Sequence, residues 1–206
     1  AASADALLAR ARALADREDG PAAIAAAEAA ASAAPTALEP LALLASLHAA
    51  AGDLSAASEA VARQIARIDD PASRAALWRQ RARLYRDALG HEAEAYQCLT
   101  EAHACAPADP DIAYQLRAAA MVRGEWPLAA TLLHREIAAA TTPRDRGALH
   151  LELALIYEER LGDESQAQVN YEQALAFDPT IPAAKLPLAR RYEALGRHAD
   201  AAQLYE

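Results

Sequence analysis

The segment "PASRAALWRQRARLYRDALGHEAEAYQCLTEAHACAP", residues 71–107, returns 72 residues later as "PRDRGALHLELALIYEERLGDESQAQVNYEQALAFDP", residues 143–179. Laid together without a gap, the two agree at Pro71/Pro143, Arg74/Arg146, Leu77/Leu149, Ala82/Ala154, Tyr85/Tyr157, Leu89/Leu161, Gly90/Gly162, Ala95/Ala167, Ala102/Ala174 and Pro107/Pro179. The same interval separates Pro35, Pro107 and Pro179, and again Gly52, Gly124 and Gly196. A repeated unit this short cannot bury its apolar face alone, so successive copies must stack and share a core.

Each copy reads as helix. Ala, Leu, Arg and Glu, all strong helix formers, dominate, and β-branched residues are few and scattered. With 54% apolar residues the chain can fill a sizeable core. Glycines or acidic turns within pairs and prolines between them mark six helix pairs: residues 1–35, 36–70, 71–107, 108–142, 143–179 and 180–206, the last incomplete. Gly20-Pro21 supplies a turn and a proline suited to the first helical position, and Gly52-Asp53 supplies a break. Asp70-Pro71 and likewise Asp109-Pro110 combine a capping residue with a proline suited to the first turn, and the fifth pair begins at Thr142-Pro143. Val61, Ile65 and Ile68 form an amphipathic stripe. Close approach of paired helices needs small residues, supplied by Ala82, Ala154 and Ala189. Tyr85, Tyr157 and Tyr192, three residues further on, are expected to wedge against a neighbouring helix with their hydroxyls near a polar edge.

These positions resemble the tetratricopeptide repeat, whose signature sets Trp, Leu-Gly/Ala, Tyr, Gly, Ala, Phe/Tyr, Ala and Pro at fixed offsets. The third pair supplies Trp78, Ala82, Tyr85, Gly90, Ala95, Leu99, Ala102 and Pro107. The fifth supplies Leu153-Ala154, Tyr157, Gly162, Ala167, Tyr171, Ala174 and Pro179, and the sixth Leu188-Ala189, Tyr192, Gly196, Ala201 and Tyr205. Departures include His48 at the Tyr position, Arg81 at the Leu position, and Arg117 and Ala120 where a small residue and Tyr are expected. Pairs three and five carry one extra residue before the inter-helix Ala, a lengthening of the first helix or of its turn. The resemblance implies an all-α, right-handed superhelical solenoid of about 12 helices in six repeats, a single array over residues 1–206. It also implies a non-enzymatic protein-interaction scaffold that takes a peptide or helix in a concave groove lined by first helices. The sequence lacks an initiator Met and stops inside an amphipathic pattern, as expected of a piece of a longer protein.

In that register the groove face of the third pair carries Arg79, Arg83 and Arg86, a cationic stripe suited to the carboxylates of an acidic peptide. Asp87, Glu92 and Glu94 stand close enough in sequence to balance it as an ordinary solvated face. The fifth pair places Leu151, Leu155 and Glu158 at the same positions, and Tyr114, Leu186 and Arg190 are further groove candidates. Trp78 and Trp126 are better explained by burial than by ligand stacking. A competing reading makes the chain an assembly or regulatory module of a larger protein, self-associating through the last helix at Leu204-Tyr205.

Other functions fit poorly. The net charge of −9, with Lys185 the only lysine, argues against nucleic acid. His91, Cys98, His103 and Cys105 form no metal-ligand motif, so no metal or cofactor is expected. Cys98 and Cys105 lie about 10 Å apart along one helix, too far for a disulfide within it. Neither a phosphate loop nor a nucleophile elbow is present. No apolar run approaches a membrane span and no signal core precedes the array, so a soluble location, cytoplasm or periplasm, is expected.

Overall fold

A computed structural model describes the backbone of residues 2–205 and their side chains other than those of Ala88 and Leu89, so the Leu89 side chain of the repeat match lies outside the described residues. All regular structure among the described residues is helical. The α-helices are α1 (Ala4–Ala15), α2 (Gly20–Ala33), α3 (Glu39–Ala50), α4 (Leu54–Ile65), α5 (Pro71–Arg83) and α6 (Glu92–Cys105). They continue with α7 (Pro110–Arg123), α8 (Trp126–Ala139), α9 (Pro143–Ile156), α10 (Glu164–Phe177), α11 (Pro182–Ala194) and α12 (His198–Tyr205). Two π-helical turns, Leu84–Leu89 and Tyr157–Leu161, extend α5 and α9. The chain divides into two compact units, Ala1–Ile112 and Ala113–Glu206.

The first unit is built from α1 to α6 and the start of α7. Its core joins Ala11, Ala27, Leu41, Leu44 and Val61, with Leu77 and Trp78 of α5 packed against them. In α2 the buried side is alanine throughout, Ala23, Ala26, Ala27, Ala30 and Ala31, and small side chains of this kind let neighbouring helices approach closely. A second cluster gathers Ala75, Ala102 and Ile112, with Trp78 and Cys105 beside them. Trp78 is therefore a packing residue.

In the second unit Ala154, Ala167, Tyr171, Ala174, Ala184, Leu188 and Tyr192 form the core. The three register tyrosines keep their hydroxyls on polar partners, and Tyr157 and Tyr192 pack on the core of the second unit. Tyr85 accepts from Arg81 Nη2 at 3.1 Å in the first unit, while Tyr157 meets His134 at 3.2 Å and Tyr192 donates to Glu172 at 3.0 Å in the second.

Helix starts follow the sequence. Asp70 accepts from Ser73 N–H at 2.8 Å and Thr142 from Asp145 N–H at 3.1 Å, each satisfying a free donor of the first turn. Asp19 caps α2 from Ala22 N–H, so Gly20 is the first helical residue; the left-handed turn residue is Glu18, at φ 62°. Pro21 sits in the first turn as expected, whereas the turn expected at Gly20 lies two residues earlier, at Glu18, because Asp19 is the cap.

Helix ends explain the extra residue of pairs three and five. In the other pairs the amide after the left-handed residue reaches five residues back: Asp19 to Leu14, Asp53 to His48, Glu125 to Ala120, Arg197 to Tyr192. In pairs three and five it reaches six, His91 to Tyr85 and Asp163 to Tyr157. The acceptor is in every pair the residue at the Tyr position. Since packing pins that residue and Gly90 or Gly162 pins the turn, the added residue is absorbed between them as a π turn.

Candidate peptide-binding surface

The side chains nominated from sequence lie on α5 in the first unit and on α7, α9 and α11 in the second. On α5, Arg79 approaches Asp111 at 3.7 Å and Arg86 holds Asp87 at 2.8 Å. The Arg86 hydrogen bond depresses the Asp87 carboxyl below the usual carboxylate range. Arg83 is exposed. The stripe runs from α5 into the π turn that extends it, with two of its three charges balanced by aspartates; the Arg86–Asp87 pair is exposed and opens readily to a competing carboxylate, whereas Arg79 is half-buried.

In the second unit Tyr114, Leu151 and Leu186 each stand three residues before the small-residue position of their helix, held by Arg117, Ala154 and Ala189. Tyr114 is 58% exposed, Leu186 46% and Leu155 36%. Leu151 is instead half-buried against the core of this unit, and Arg190 is exposed beside the apolar row. Tyr114 and Leu186 are thus exposed at the matched position, and on α9 the exposed leucine is Leu155, one turn further on.

Beneath Tyr114 is a residue that sequence reasoning marked only as a departure. Arg117 is 7% exposed, and it occupies the position where the repeat expects a small side chain. Its guanidinium forks onto Glu136 of α8, Nε to Oε1 at 2.7 Å and Nη2 to Oε2 at 3.2 Å, while Nη1 donates to Glu152 of α9. Nη1 also faces the Met121 sulfur at 3.7 Å, and the guanidinium carbon lies 5.2 Å from the Tyr114 ring centroid. Burial disfavours the charge, but the hydrogen bond to Glu136 and the charges of Glu152 and Glu136 outweigh it, so the Arg117 pKa stands above its ordinary value. A planar fork meets two carboxylates and still stacks on an aromatic face, which lysine does not do. Arg117 thereby ties α7, α8 and α9 together and seats Tyr114. An arginine at a small-residue position was the available signal; its partners, 19 and 35 residues away, were not readable.

A cavity of about 180 Å³ lies alongside, lined by Met121, Trp126, Glu152, Leu155, Ile156, Glu159 and Arg160. Trp126, expected to be buried, is half-buried under Arg160, whose guanidinium carbon sits 4.9 Å from its ring centroid. In the first unit a cavity of about 280 Å³ is lined by Trp78, Arg81, Tyr85, Glu94, Gln97, Cys98 and Glu101. Arg81 there lies 5.6 Å from the Trp78 ring centroid and 5.4 Å from that of Tyr85, and donates to Ser58 and Tyr85 hydroxyls. Among the described residues no group of three or more His, Cys, Asp or Glu is placed to hold a metal ion, and no helix is long and apolar enough to cross a membrane.

No protein-family model matches the chain, and no curated protein matches it by sequence. Solved structures do match. One of MamA is 21% identical over 79% of this chain and 90% of that one, with a TM-score of 0.50, and another of MamA is 23% identical over 77% and 82%, at 0.52. The C-terminal part of a TPR repeat-containing protein from Cytophaga hutchinsonii is 16% identical over 96% of this chain and 76% of that one, at 0.50. At these identities the likeness is one of fold, and the fold is that of the tetratricopeptide repeat.

Proposed function

We propose that this chain is a non-enzymatic scaffold that binds a segment of a partner protein on the faces of its first helices. The observation that carries this reading is the exposure of Tyr114, Leu155 and Leu186 on α7, α9 and α11, first helices that also contribute buried residues such as Leu116, Leu153 and Leu188. A rigid helical surface of this kind binds without being ordered first, so little of the interaction energy is lost to entropy. On α5 and the π turn that extends it, Arg79, Arg83 and Arg86 donate to an acidic segment, exchanging Asp111 and Asp87 for the partner's carboxylates.

Affinity capture from the source cell with the intact chain tests it. Combined Tyr114→Ala, Leu155→Asp and Leu186→Asp substitutions should abolish recovery of the partner, whereas Val169→Asp, at an exposed site on the second helix α10, should not. Retention of the same partner by the triple variant, with helicity unchanged, sinks the proposal. The Arg79, Arg83 and Arg86 alanine variant separately reports whether the acidic segment is used. A second reading, self-association through α12, is favoured by the exposure of Tyr205 on it and of Leu195 at the end of α11; a mass by light scattering that stays monomeric at all concentrations removes it.

A further inference from the structure

We infer that the cavity beside Leu155 receives one cationic side chain, lysine or arginine, of the bound segment. This rests on the scaffold reading and specifies the chemistry of one position within the partner. The cavity, at about 180 Å³, is smaller than the roughly 300–1,000 Å³ of small-molecule sites and suits a single long side chain. Its apolar lining comes from Met121, Trp126 and Leu155, and its polar lining from Glu152, Glu159 and Arg160. An aliphatic stem ending in a charge matches such a mixture, because the stem covers apolar surface while the head reaches the carboxylates.

Charge selects the sign of the occupant. Arg117 is shared by two carboxylates, Glu136 and Glu152, which leaves one net negative charge on the junction. Glu159 and Arg160 cancel in net charge without pairing: neither has an ion-pair partner among the described residues, and Arg160 is turned onto the Trp126 ring. Glu152 uses one carboxylate oxygen for Arg117, and its other oxygen has no hydrogen-bond partner among the described residues. Glu159 also stands near the C-terminal end of the helical segment closed by Leu161, where the backbone dipole opposes a negative charge. A purely apolar side chain entering here would strip water from two carboxylates and give nothing back. An acidic one would add repulsion. A lysine or arginine supplies the missing counter-charge.

The test uses random linear peptides displayed on phage, selected against the intact chain. Enriched peptides should share a fixed lysine or arginine with apolar neighbours. Synthesised singly, they should lose about tenfold in affinity when that residue is replaced by alanine, and a similar factor against Glu159→Gln. Selection on Glu159→Arg should lose the fixed cation. Because Glu159 is exposed, these variants keep the fold, which circular dichroism verifies. Peptides that bind through Leu155, as shown by loss against Leu155→Asp, but carry no fixed cation or ignore Glu159→Gln, overturn the cation site and leave the scaffold standing. No enrichment over the bare matrix overturns both.

Discussion

Residues 71–107 and 143–179 share a backbone plan and differ in what fills it. Both open with a capped proline turn, and in both the matched arginine binds the carbonyl six residues upstream, Arg74 to Ile68 and Arg146 to Ala140. Both insert a π turn before a left-handed glycine, at φ 65° for Gly90 and 66° for Gly162. Trp78, Cys98 and Cys105 in one become His150, Asn170 and Phe177 in the other. There His150 Nδ1 meets Asn170 Oδ1 at 2.9 Å and the imidazole stacks on Phe177 at 5.6 Å. Arg81, bonded to hydroxyls, becomes Leu153, wholly buried. Leu99 becomes Tyr171, whose hydroxyl donates to Glu158, at the position where the first segment has Arg86. The lesson is that the plan tolerates opposite chemistries provided each position changes together with its neighbours.

The strongest way to break the comparison is to exchange one position without its neighbours. Leu153→Arg puts a charge among apolar atoms with Ala130 where the first segment has Ser58, so that Tyr157 is the one matched hydroxyl left to receive it, and should cost about 4 kcal/mol in urea unfolding, whereas Arg81→Leu should stay within about 1 kcal/mol. Next, Asn170→Cys removes the His150 partner and the amide bond to Gln166 O, for a loss of about 2 kcal/mol. Exchanging His150, Asn170 and Phe177 together for Trp, Cys and Cys should recover more than half of that; no recovery would show that the two sets are not interchangeable.

Smaller effects sharpen the contrast. Tyr171→Phe should cost about 1 kcal/mol by losing the hydrogen bond to Glu158. Burial first, and that hydrogen bond second, push the Tyr171 pKa upward. The folded state therefore keeps the proton where the unfolded chain has lost it, so stability is intact below about pH 10 and falls as pH rises beyond it. The slope of unfolding free energy against pH above 10 should be shallower in Tyr171→Phe. The smallest effect belongs to Gly147, whose counterpart is Ala75. A methyl there would lie 3.1 Å from Asp178 Cβ and 3.2 Å from Ala174 O, so the roughly 1 kcal/mol gained in helix propensity should be more than offset, giving a net loss near 0.5 kcal/mol. A clear gain in thermal midpoint would show that α9 and α10 have room to move apart.

Much of this was legible from one-dimensional spacing. Period, helix starts at Asp70 and Thr142, turn glycines and the wedge tyrosines all follow from local rules that depend on residues a few positions apart. The register also marked Tyr114, Leu155 and Leu186, all three of which are exposed. What the register could not say is that Leu151, one turn before Leu155, turns partly into the core, or that Arg79 and Arg86 already hold aspartates.

The helices, their pairing and the small-residue skeleton can be read from the chain alone, because these rest on contacts between neighbours along it. Where the inserted residue of pairs three and five goes is set by packing in three dimensions, since a π turn wins only when contacts at Tyr85 and Tyr157 and the glycine turns hold both ends fixed. Packing likewise decides that Arg117 is a buried junction rather than a misfit: Glu136 and Glu152 approach it only when α8 and α9 pack beside α7, and without them its burial would be prohibitive.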